Sequence, residues 1–162
     1  MKVVISAGGT GGHIYPALAI IDKIKEKEPN SEFLYIGTTN RMEKDIIPEK
    51  NIPYIGINVS GISRKLTLKN IKSVTNFLIG INKCKKEIKK FNPDIVIGAG
   101  GYVTAPVIIA AKKSGYKTLV HEQNSILGLS NKILLKYTDT LCTSFETMKV
   151  SNVKCVYTGN PA

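Results

Sequence analysis

The residues best suited to chemistry begin with a glycine-rich turn near the N-terminus. Gly8, Gly9, Gly11 and Gly12 surround Thr10, directly after a short apolar run and before a stretch of helical character. So many glycines remove the Cβ atoms that would keep a ligand away from the backbone, and they permit positive φ. A helix that follows would add unpaired N–H groups and the positive end of its dipole. The turn predicts a site for phosphate or diphosphate, and a tight turn that needs glycine only to close is the alternative.

The spacing of these glycines matches neither common nucleotide motif. No Lys follows them, as a P-loop requires. A dinucleotide fingerprint needs GxGxxG and an acidic residue after the second strand, where this sequence has Gly37, Thr38 and Thr39. Both mismatches argue against a kinase and against an NAD-dependent oxidoreductase or epimerase.

One histidine stands where the glycines meet the predicted helix. His13 directly follows Gly12. A helix N-terminus disfavours the imidazolium form, so a neutral ring that can accept a proton is expected there. His13 is therefore a candidate general base, and a structural or binding role is the alternative.

A second glycine-rich turn follows a later apolar run. Gly98, Gly100 and Gly101 precede Tyr102, and a helical stretch comes next. Two such turns at neighbouring strand ends could hold a diphosphate between two helix N-termini. Close packing of helix on strand is the alternative.

A polar run ends the following apolar stretch. His121, Glu122, Gln123 and Asn124 are consecutive, and polar groups at a strand end are costly to bury without partners. They suit hydrogen bonds to the hydroxyls of a sugar, or a network that holds the glycine turns. Glu122 is the one carboxylate in these three segments, so a glycosidase-type pair is not indicated. No cluster of carboxylates or histidines indicates a metal site, and no cofactor is expected.

The elements that must position these residues alternate along the chain. Short runs rich in Val and Ile predict strands that are buried on both faces of a parallel sheet. These runs are Lys2–Ala7, Glu32–Gly37, Pro53–Val59, Asp94–Gly98, Lys117–His121, Asp139–Thr143 and Val153–Thr158. The predicted helices are Ile14–Lys27, Arg41–Glu49, Leu68–Phe91, Tyr102–Ser114, Leu129–Tyr137 and Phe145–Lys149. The alternation predicts an α/β fold, a doubly wound parallel sheet of about seven strands, with ligands beyond the carboxyl ends of the strands.

Composition limits the class of protein. The chain has 162 residues, of which 43% are hydrophobic and 22% charged, as expected for one globular domain. Its net charge of +11 favours an anionic partner. Three cysteines without metal-binding spacing argue for a reducing compartment. No run reaches the roughly 18 apolar residues of a spanning helix, and the N-terminal run is too short for a secretory signal.

Most of the positive charge falls in one predicted helix and the residues just before it. Nine basic residues and one acidic residue between Arg64 and Lys90 give +8 of the total. On a helical wheel the apolar residues that share an arc of about 160° predict the core face. They are Ile71, Val74, Phe77, Leu78, Ile81, Cys84, Ile88 and Phe91. The opposite side combines basic and apolar residues, namely Leu68, Lys69, Lys72, Ile79, Lys83, Lys86 and Lys90.

This mixed side is typical of a helix that lies on an anionic membrane surface, because apolar contact and lipid charge act together there. A solvated basic face is the alternative. Nucleic acid is not expected as a partner, since the face lacks interleaved aromatic residues.

Four signatures along the chain resemble the N-terminal half of the MurG family of peptidoglycan glycosyltransferases. They are GGTGGH with the following IYPALAI, PDIVIGAGGYVTAP, HEQNSILGLSNK and the terminal TGNP. The resemblance implies a Rossmann-like domain that is one half of a GT-B two-domain fold. Residues 1–162 would be the N-terminal acceptor-binding domain, and the donor-binding C-terminal domain would be absent from this chain. Such a fragment should fold and bind the acceptor but should not catalyse transfer alone.

The activity that this resemblance implies is a hexosyl transfer in cell-wall synthesis, and so in cell shape and division. N-acetylglucosamine would pass from UDP-N-acetylglucosamine, with inversion, to undecaprenyl-pyrophosphoryl-MurNAc-pentapeptide (lipid I), giving lipid II. The enzyme would sit peripherally on the anionic inner leaflet of the cytoplasmic membrane. Two alternatives remain open: a stand-alone module that binds a phosphorylated ligand or a membrane surface, and one chain of a split glycosyltransferase.

The resemblance also implies roles for individual residues. His13 would be the base that takes the proton from the attacking hydroxyl of the acceptor. The residues that would contact the donor are Thr10, Gly11, Gly12 and Asn124. Those that would hold the acceptor diphosphate are Gly9, Gly100, Gly101, Tyr102 and Glu122. Those that would face the membrane are Leu68, Lys69, Lys72, Ile79, Lys83 and Lys86. The family often has Arg-Gly-Lys after the third strand, whereas this chain reads Gly61-Ile62-Ser63-Arg64-Lys65, so no role follows for Arg64.

Overall fold

A single parallel sheet forms the centre of the protein in the computed structural model. The structure describes residues 1–60, 68–148 and 150–161, and the side chains of 68–71 lie outside that description. Seven strands are found in these ranges, all paired in parallel in the order β3-β2-β1-β4-β5-β6-β7. They are β1 (Lys2–Ser6), β2 (Glu32–Thr38), β3 (Tyr54–Ile57), β4 (Ile95–Gly98), β5 (Lys117–Glu122), β6 (Thr140–Thr143) and β7 (Lys154–Tyr157). The predicted α/β fold is confirmed.

Helices cover both faces of this sheet. Within the described ranges they are α1 (Gly11–Lys27), α2 (Glu43–Glu49), α3 (Leu68–Phe91), α4 (Thr104–Lys113), α5 (Leu129–Leu134) and a 3-10 helix (Leu135–Tyr137). Buried side chains of α1 and α2 form one core cluster, and those of α3, α4 and α5 form a second. Strand β1 serves both: Val4 lies in the second cluster, whereas Val3 and Ile5 lie in the first. Its continuous apolar run therefore reflects burial on both faces.

The strand order creates a switch point in the middle of the sheet. From β1 the chain proceeds outward through β2 and β3, and it then returns to place β4 on the other side of β1. The carboxyl ends of β1 and β4 are thus adjacent, with Ser6 paired to Gly98. In doubly wound sheets, ligands bind at this position.

Several predicted element boundaries differ from those observed. Helix α1 begins at Gly11 rather than Ile14, so the last two glycines of the first turn already have helical geometry. Helix α4 begins at Thr104, and the predicted helix Leu129–Tyr137 ends as a 3-10 turn. The helix predicted at Phe145–Lys149 is wrong over 145–148, where the chain forms a turn, and Lys149 lies outside the described residues.

The predicted core face of α3 is too wide. Gly80, Cys84 and Ile88 are buried at four-residue spacing, in the helix that makes extensive contact with α4. Val74 and Leu78, predicted to be core residues, are 45% and 56% exposed. Both residues lie within the apolar arc, yet neighbouring elements leave them exposed. An arc on a helical wheel shows which residues share a side, but the neighbouring elements decide how much of that side is buried.

Candidate functional site

The two glycine-rich turns lie side by side at the carboxyl edge of the sheet. The amide of Ala99 donates to the carbonyl of Ser6 at 2.8 Å, and the amide of Gly8 donates to the carbonyl of Gly100 at 3.3 Å. The first turn leads into α1 and the second into α4, so two helix N-termini start from neighbouring points. The structure therefore brings together the two turns that sequence analysis selected.

Glycines of the second turn are needed for close approach as well as for conformation. Gly100 and Gly101 have φ of +107° and +86°. A Cβ atom at Gly101 would overlap the carbonyl of Gly8, and one at Gly100 would overlap the ring of His13. The alternative of tight packing thus holds for these two glycines, and the packing is between the two turns.

Two glycines of the first turn, Gly9 and Gly12, leave open space. Gly9 has φ of +92°, and a Cβ atom there would meet no heavy atom within 4 Å. A Cβ atom at Gly12 would meet only Thr10 Oγ1, at 3.8 Å. A ligand can approach the backbone most closely on this side.

Some amides of the first turn already have protein partners. The amide of Gly8 donates to Gly100, and the amide of Gly9 donates to Glu43 Oε2 at 3.1 Å. Gly9 was predicted to hold the acceptor diphosphate, but its N–H is engaged in this conformation. The amides of Gly11 and Gly12 belong to the first turn of α1 and have no carbonyl four residues back within the helix. The amides of this turn that an anion could meet are therefore those at the start of α1, and anion binding there stays a prediction.

His13 is half-buried between the two turns, with one ring nitrogen bound to the backbone. Its Nδ1 lies 3.2 Å from the carbonyl oxygen of Gly8 and 3.3 Å from Thr10 Oγ1. A carbonyl oxygen can only accept, so Nδ1 carries the hydrogen of the neutral ring. The lone pair is then on Nε2, which is the atom of a neutral ring that can accept a proton.

Glu122 is buried, and its carboxylate is fully engaged within its own loop. Oε1 accepts from the amide and side chain of Asn124 at 3.0 and 2.8 Å, and Oε2 accepts from the Gly128 amide and Asn131 Nδ2 at 2.9 and 2.8 Å. Burial tends to raise the pKa of Glu122, but these hydrogen bonds outweigh it and hold the pKa below its usual value. Glu122 thus orients Asn124, and direct contact of Glu122 with a diphosphate stays a prediction.

The rest of the polar run ties this loop to its neighbours. Gln123 Nε2 donates to the carbonyl of Ala99 in the second glycine turn at 2.7 Å. His121 is buried, its Nε2 lies 3.1 Å from the carbonyl of Gly159, and burial lowers its pKa. For Glu122, Gln123 and His121 the contacts therefore match the network interpretation of the run.

Sequence analysis missed one buried carboxylate at this edge. Glu43, the first residue of α2, is completely buried beside the first glycine turn. Its sequence neighbours are Met42 and Lys44, and nothing in that context distinguishes it from an exposed helix carboxylate. The available signal was Gly37 at the end of β2, because glycine at a strand end indicates a close approach by another group.

The membrane-facing residues of the prediction are only partly described. Lys72, Ile79 and Lys86 are exposed, Ile79 by 60%, and their seven-residue spacing puts them on one side of the helix. Val74 and Leu78 are also exposed, but they belong to the predicted core side. Lys83 Nζ donates to the carbonyl of Gly56 at 2.8 Å, so it also links α3 to β3. The side chains of Leu68 and Lys69, and the whole of Arg64, lie outside the described residues.

No helix in the described ranges has the length and apolar character that crossing a bilayer requires. Those ranges also contain no group of three or more His, Cys, Asp or Glu residues that could hold a metal ion.

Comparison with known proteins gives a consistent result. Residues 3–143 match the family described as Glycosyltransferase family 28 N-terminal domain. UDP-N-acetylglucosamine--N-acetylmuramyl-(pentapeptide) pyrophosphoryl-undecaprenol N-acetylglucosamine transferases of Bacillus licheniformis and Bacillus subtilis are 50% and 51% identical over 99% of this chain. The alignments cover 44% and 45% of those proteins, so the chain spans less than half the length of these curated relatives.

Solved structures agree with this comparison. The crystal structure of Acinetobacter baumannii MurG matches with a TM-score of 0.82 and 30% identity, over 99% of this chain and 46% of that one. UDP-GlcNAc 2-epimerase from Methanocaldococcus jannaschii matches with a TM-score of 0.62 and 21% identity, over 90% of this chain and 40% of that one. The second match shows a shared fold only.

Proposed function

The chain belongs to the glycosyltransferase family 28 N-terminal domains, and from that premise we propose that it is the acceptor-binding half of a peptidoglycan glycosyltransferase. The complete enzyme would transfer N-acetylglucosamine from UDP-N-acetylglucosamine to the lipid-linked MurNAc-pentapeptide, as the names of the Bacillus relatives state for those proteins. A donor-binding C-terminal domain would supply the rest of the active site. The reaction needs no metal or cofactor in this proposal.

The observation that carries the proposal is the position of His13 between two adjacent glycine turns. Its Nδ1–H is held by the carbonyl of Gly8, and its Nε2 is left as the acceptor. Each turn feeds a helix whose N-terminal dipole favours negative charge. A proton acceptor between two anion-binding helix ends is what a transfer between two diphosphate-bearing substrates requires.

The chemical step follows from this arrangement. The acceptor hydroxyl gives its proton to Nε2 of His13 while its oxygen attacks the anomeric carbon of the donor sugar. The bond between that carbon and the diphosphate oxygen breaks, UDP leaves with the electron pair, and the configuration at the carbon inverts. Thr10, Gly11, Gly12 and Asn124 would contact the donor from this side. Gly100, Gly101 and Tyr102 would hold the acceptor diphosphate near the start of α4.

We also propose that the protein acts at the anionic inner leaflet of the cytoplasmic membrane. Support comes from α3, where the exposed Ile79 lies seven residues from Lys72 and seven from Lys86, on the same side of the helix. Exposed apolar side chains have no favourable role on a solvated basic face, but they can enter the headgroup region of a bilayer. This feature also favours the second candidate function, a membrane-surface module without catalysis.

Replacement of His13 in the full-length protein tests the proposal. His13→Ala should lower kcat for transfer of labelled N-acetylglucosamine by about 10²–10⁴-fold, the usual contribution of a general base. Lys27→Ala, at the exposed far end of α1, is the control and should transfer at the normal rate. Transfer by His13→Ala within about threefold of normal would remove His13 as the base. No transfer by the unmodified full-length protein would favour the non-catalytic module.

A further inference from the structure

A buried carboxylate beside the first glycine turn has no part in the proposed chemistry. Glu43 is completely buried, and no ion pair in the described part of the chain involves it. A buried carboxylate without a cation is costly unless hydrogen bonds compensate it. Its position therefore depends on the groups that donate to it.

Three donors from two separate segments meet at this carboxylate. Oε1 accepts from the amide of Thr38 at 3.0 Å and from Thr38 Oγ1 at 2.7 Å, and Oε2 accepts from the amide of Gly9 at 3.1 Å. Cβ atoms at Gly8 and at Gly37 would overlap the Glu43 side chain. Glu43 thus fills the space that these glycines leave and joins the end of β2 to the first turn.

These contacts continue to the ring of His13. The peptide unit between Gly8 and Gly9 contains both the amide that Glu43 holds and the carbonyl that accepts from His13 Nδ1. A peptide unit is planar, so fixing its N–H fixes the direction of its C=O. The carbonyl is in turn confined by Gly101, where a Cβ atom would overlap it.

We propose that Glu43 is a positioning residue that holds His13 in the tautomer with hydrogen on Nδ1 and the lone pair on Nε2. The use of that lone pair as a base rests on the proposed function, but the tautomer itself does not. The residue acts through the Gly8–Gly9 peptide and need not touch a substrate.

The chain is suited to a direct test, because it contains only two histidines. His121 Nε2 faces the carbonyl of Gly159, so its hydrogen is on Nε2, opposite to His13. Nitrogen-15 NMR of the labelled 162-residue chain, at a pH where both rings are neutral, should show one ring of each tautomer. A His13 ring with hydrogen mainly on Nε2 would overturn the proposal before any substitution is made.

Glu43→Gln then tests the cause. The amide group of Gln would place a donor against the N–H of Gly9 or the donors of Thr38, so one set of hydrogen bonds is lost. We expect the His13 signals to move toward the Nε2–H form and those of His121 to stay unchanged. Glu49→Gln, on the exposed side of the same short helix, removes the same charge and should leave both rings unchanged.

A second variant keeps the test decisive if Glu43→Gln does not fold. Glu43→Asp keeps the charge but is one methylene too short to reach both Thr38 and Gly9, so it should shift the tautomer in the same direction. If Glu43→Gln does not fold, the spectrum of Glu43→Asp decides. An unchanged His13 tautomer in a folded Glu43 variant overturns the proposal.

The kinetic arm separates this inference from the proposed function. In the full-length protein, Glu43→Gln should lower kcat by about tenfold to a hundredfold, because a small misplacement of a catalytic group has effects of that size. The KM for UDP-N-acetylglucosamine should change little. A tautomer that responds to Glu43→Gln in a protein without transferase activity would keep the positioning role and reject the proposed function. A normal kcat in the folded variant would overturn the positioning role for the reaction.

Discussion

Replacement of Gly101 by alanine measures how tightly the two glycine turns are interlocked. Gly101 has φ of +86°, and a Cβ atom there would overlap the carbonyl of Gly8. Gly115 has nearly the same φ, +85°, but a Cβ atom there would meet no heavy atom within 4 Å. The pair separates the conformational cost of alanine at positive φ from the cost of forcing two backbones apart.

The expected magnitudes follow from these two environments. Gly115→Ala should lower the free energy of unfolding by about 1 kcal/mol, the cost of a left-handed conformation for an L-residue. Gly101→Ala carries that cost and adds about 1–3 kcal/mol for overpacking against a backbone that cannot turn aside. The total is about 2–4 kcal/mol, and each kcal/mol lowers Tm by about 2–4 °C for a domain of this size.

Equilibrium unfolding in urea, followed by circular dichroism, gives both values. The slopes of the two transitions must agree before the free energies are compared. If the two alanine variants lose equal stability, within about 0.5 kcal/mol, the turns are not in firm contact and the reasoning about their interlock is refuted.

Two further predictions concern charge. Reversing Lys72 and Lys86 together to Glu should release the protein from vesicles that contain phosphatidylglycerol, since each Lys near an anionic surface contributes about 1 kcal/mol of binding free energy. The same reversal at Lys25 and Lys27, on the other face of the sheet, is the control and should leave co-sedimentation with the vesicles unchanged. Equal release by both pairs would show that the attraction is non-specific. The pKa of Glu122 is lowered on folding, so its contribution to stability is present above the ordinary value of 4.5 and is lost as the pH falls through the lower folded value. The free energy of unfolding, measured in urea over this pH range, should therefore depend less on pH in Glu122→Gln than in the unmodified protein. An identical pH dependence would contradict the hydrogen bonds assigned to Glu122.

The fold was accessible from the sequence because its signals are local and repeated. Val3, Val4 and Ile5 form a continuous apolar run, which is typical of a strand buried on both faces. The glycines after β1 and β4 marked the two strand ends that the sheet places together. Seven such strands with helices between them left few topologies open.

The candidate site could be predicted only in part from the sequence, because residues distant in the chain decide which hydrogen-bond donors and acceptors already have partners. Composition of the first turn predicted amides free for a ligand, but Glu43 takes the amide of Gly9 from 34 positions away. The burial of Glu43 itself depends on Thr38 and on the space beside Gly8; Gly37 signals a close approach but does not identify the group that approaches. Leu78 shows the same limit for apolar residues, since it lies in the apolar arc of α3 and is nevertheless 56% exposed.

The contact between Gly101 and Gly8 has a consequence for building hybrid enzymes from this family. The two turns can pack this closely only because Gly101 has no side chain to overlap Gly8. Substitutions in the segments β1–α1 and β4–α4 should therefore be coupled, although some 90 residues separate the two turns along the chain. A chimera that takes the first turn from one parent and the second from another should fold stably only if both parents have the same close contact between the two turns. Crossover points should therefore fall outside both segments or exchange the two together.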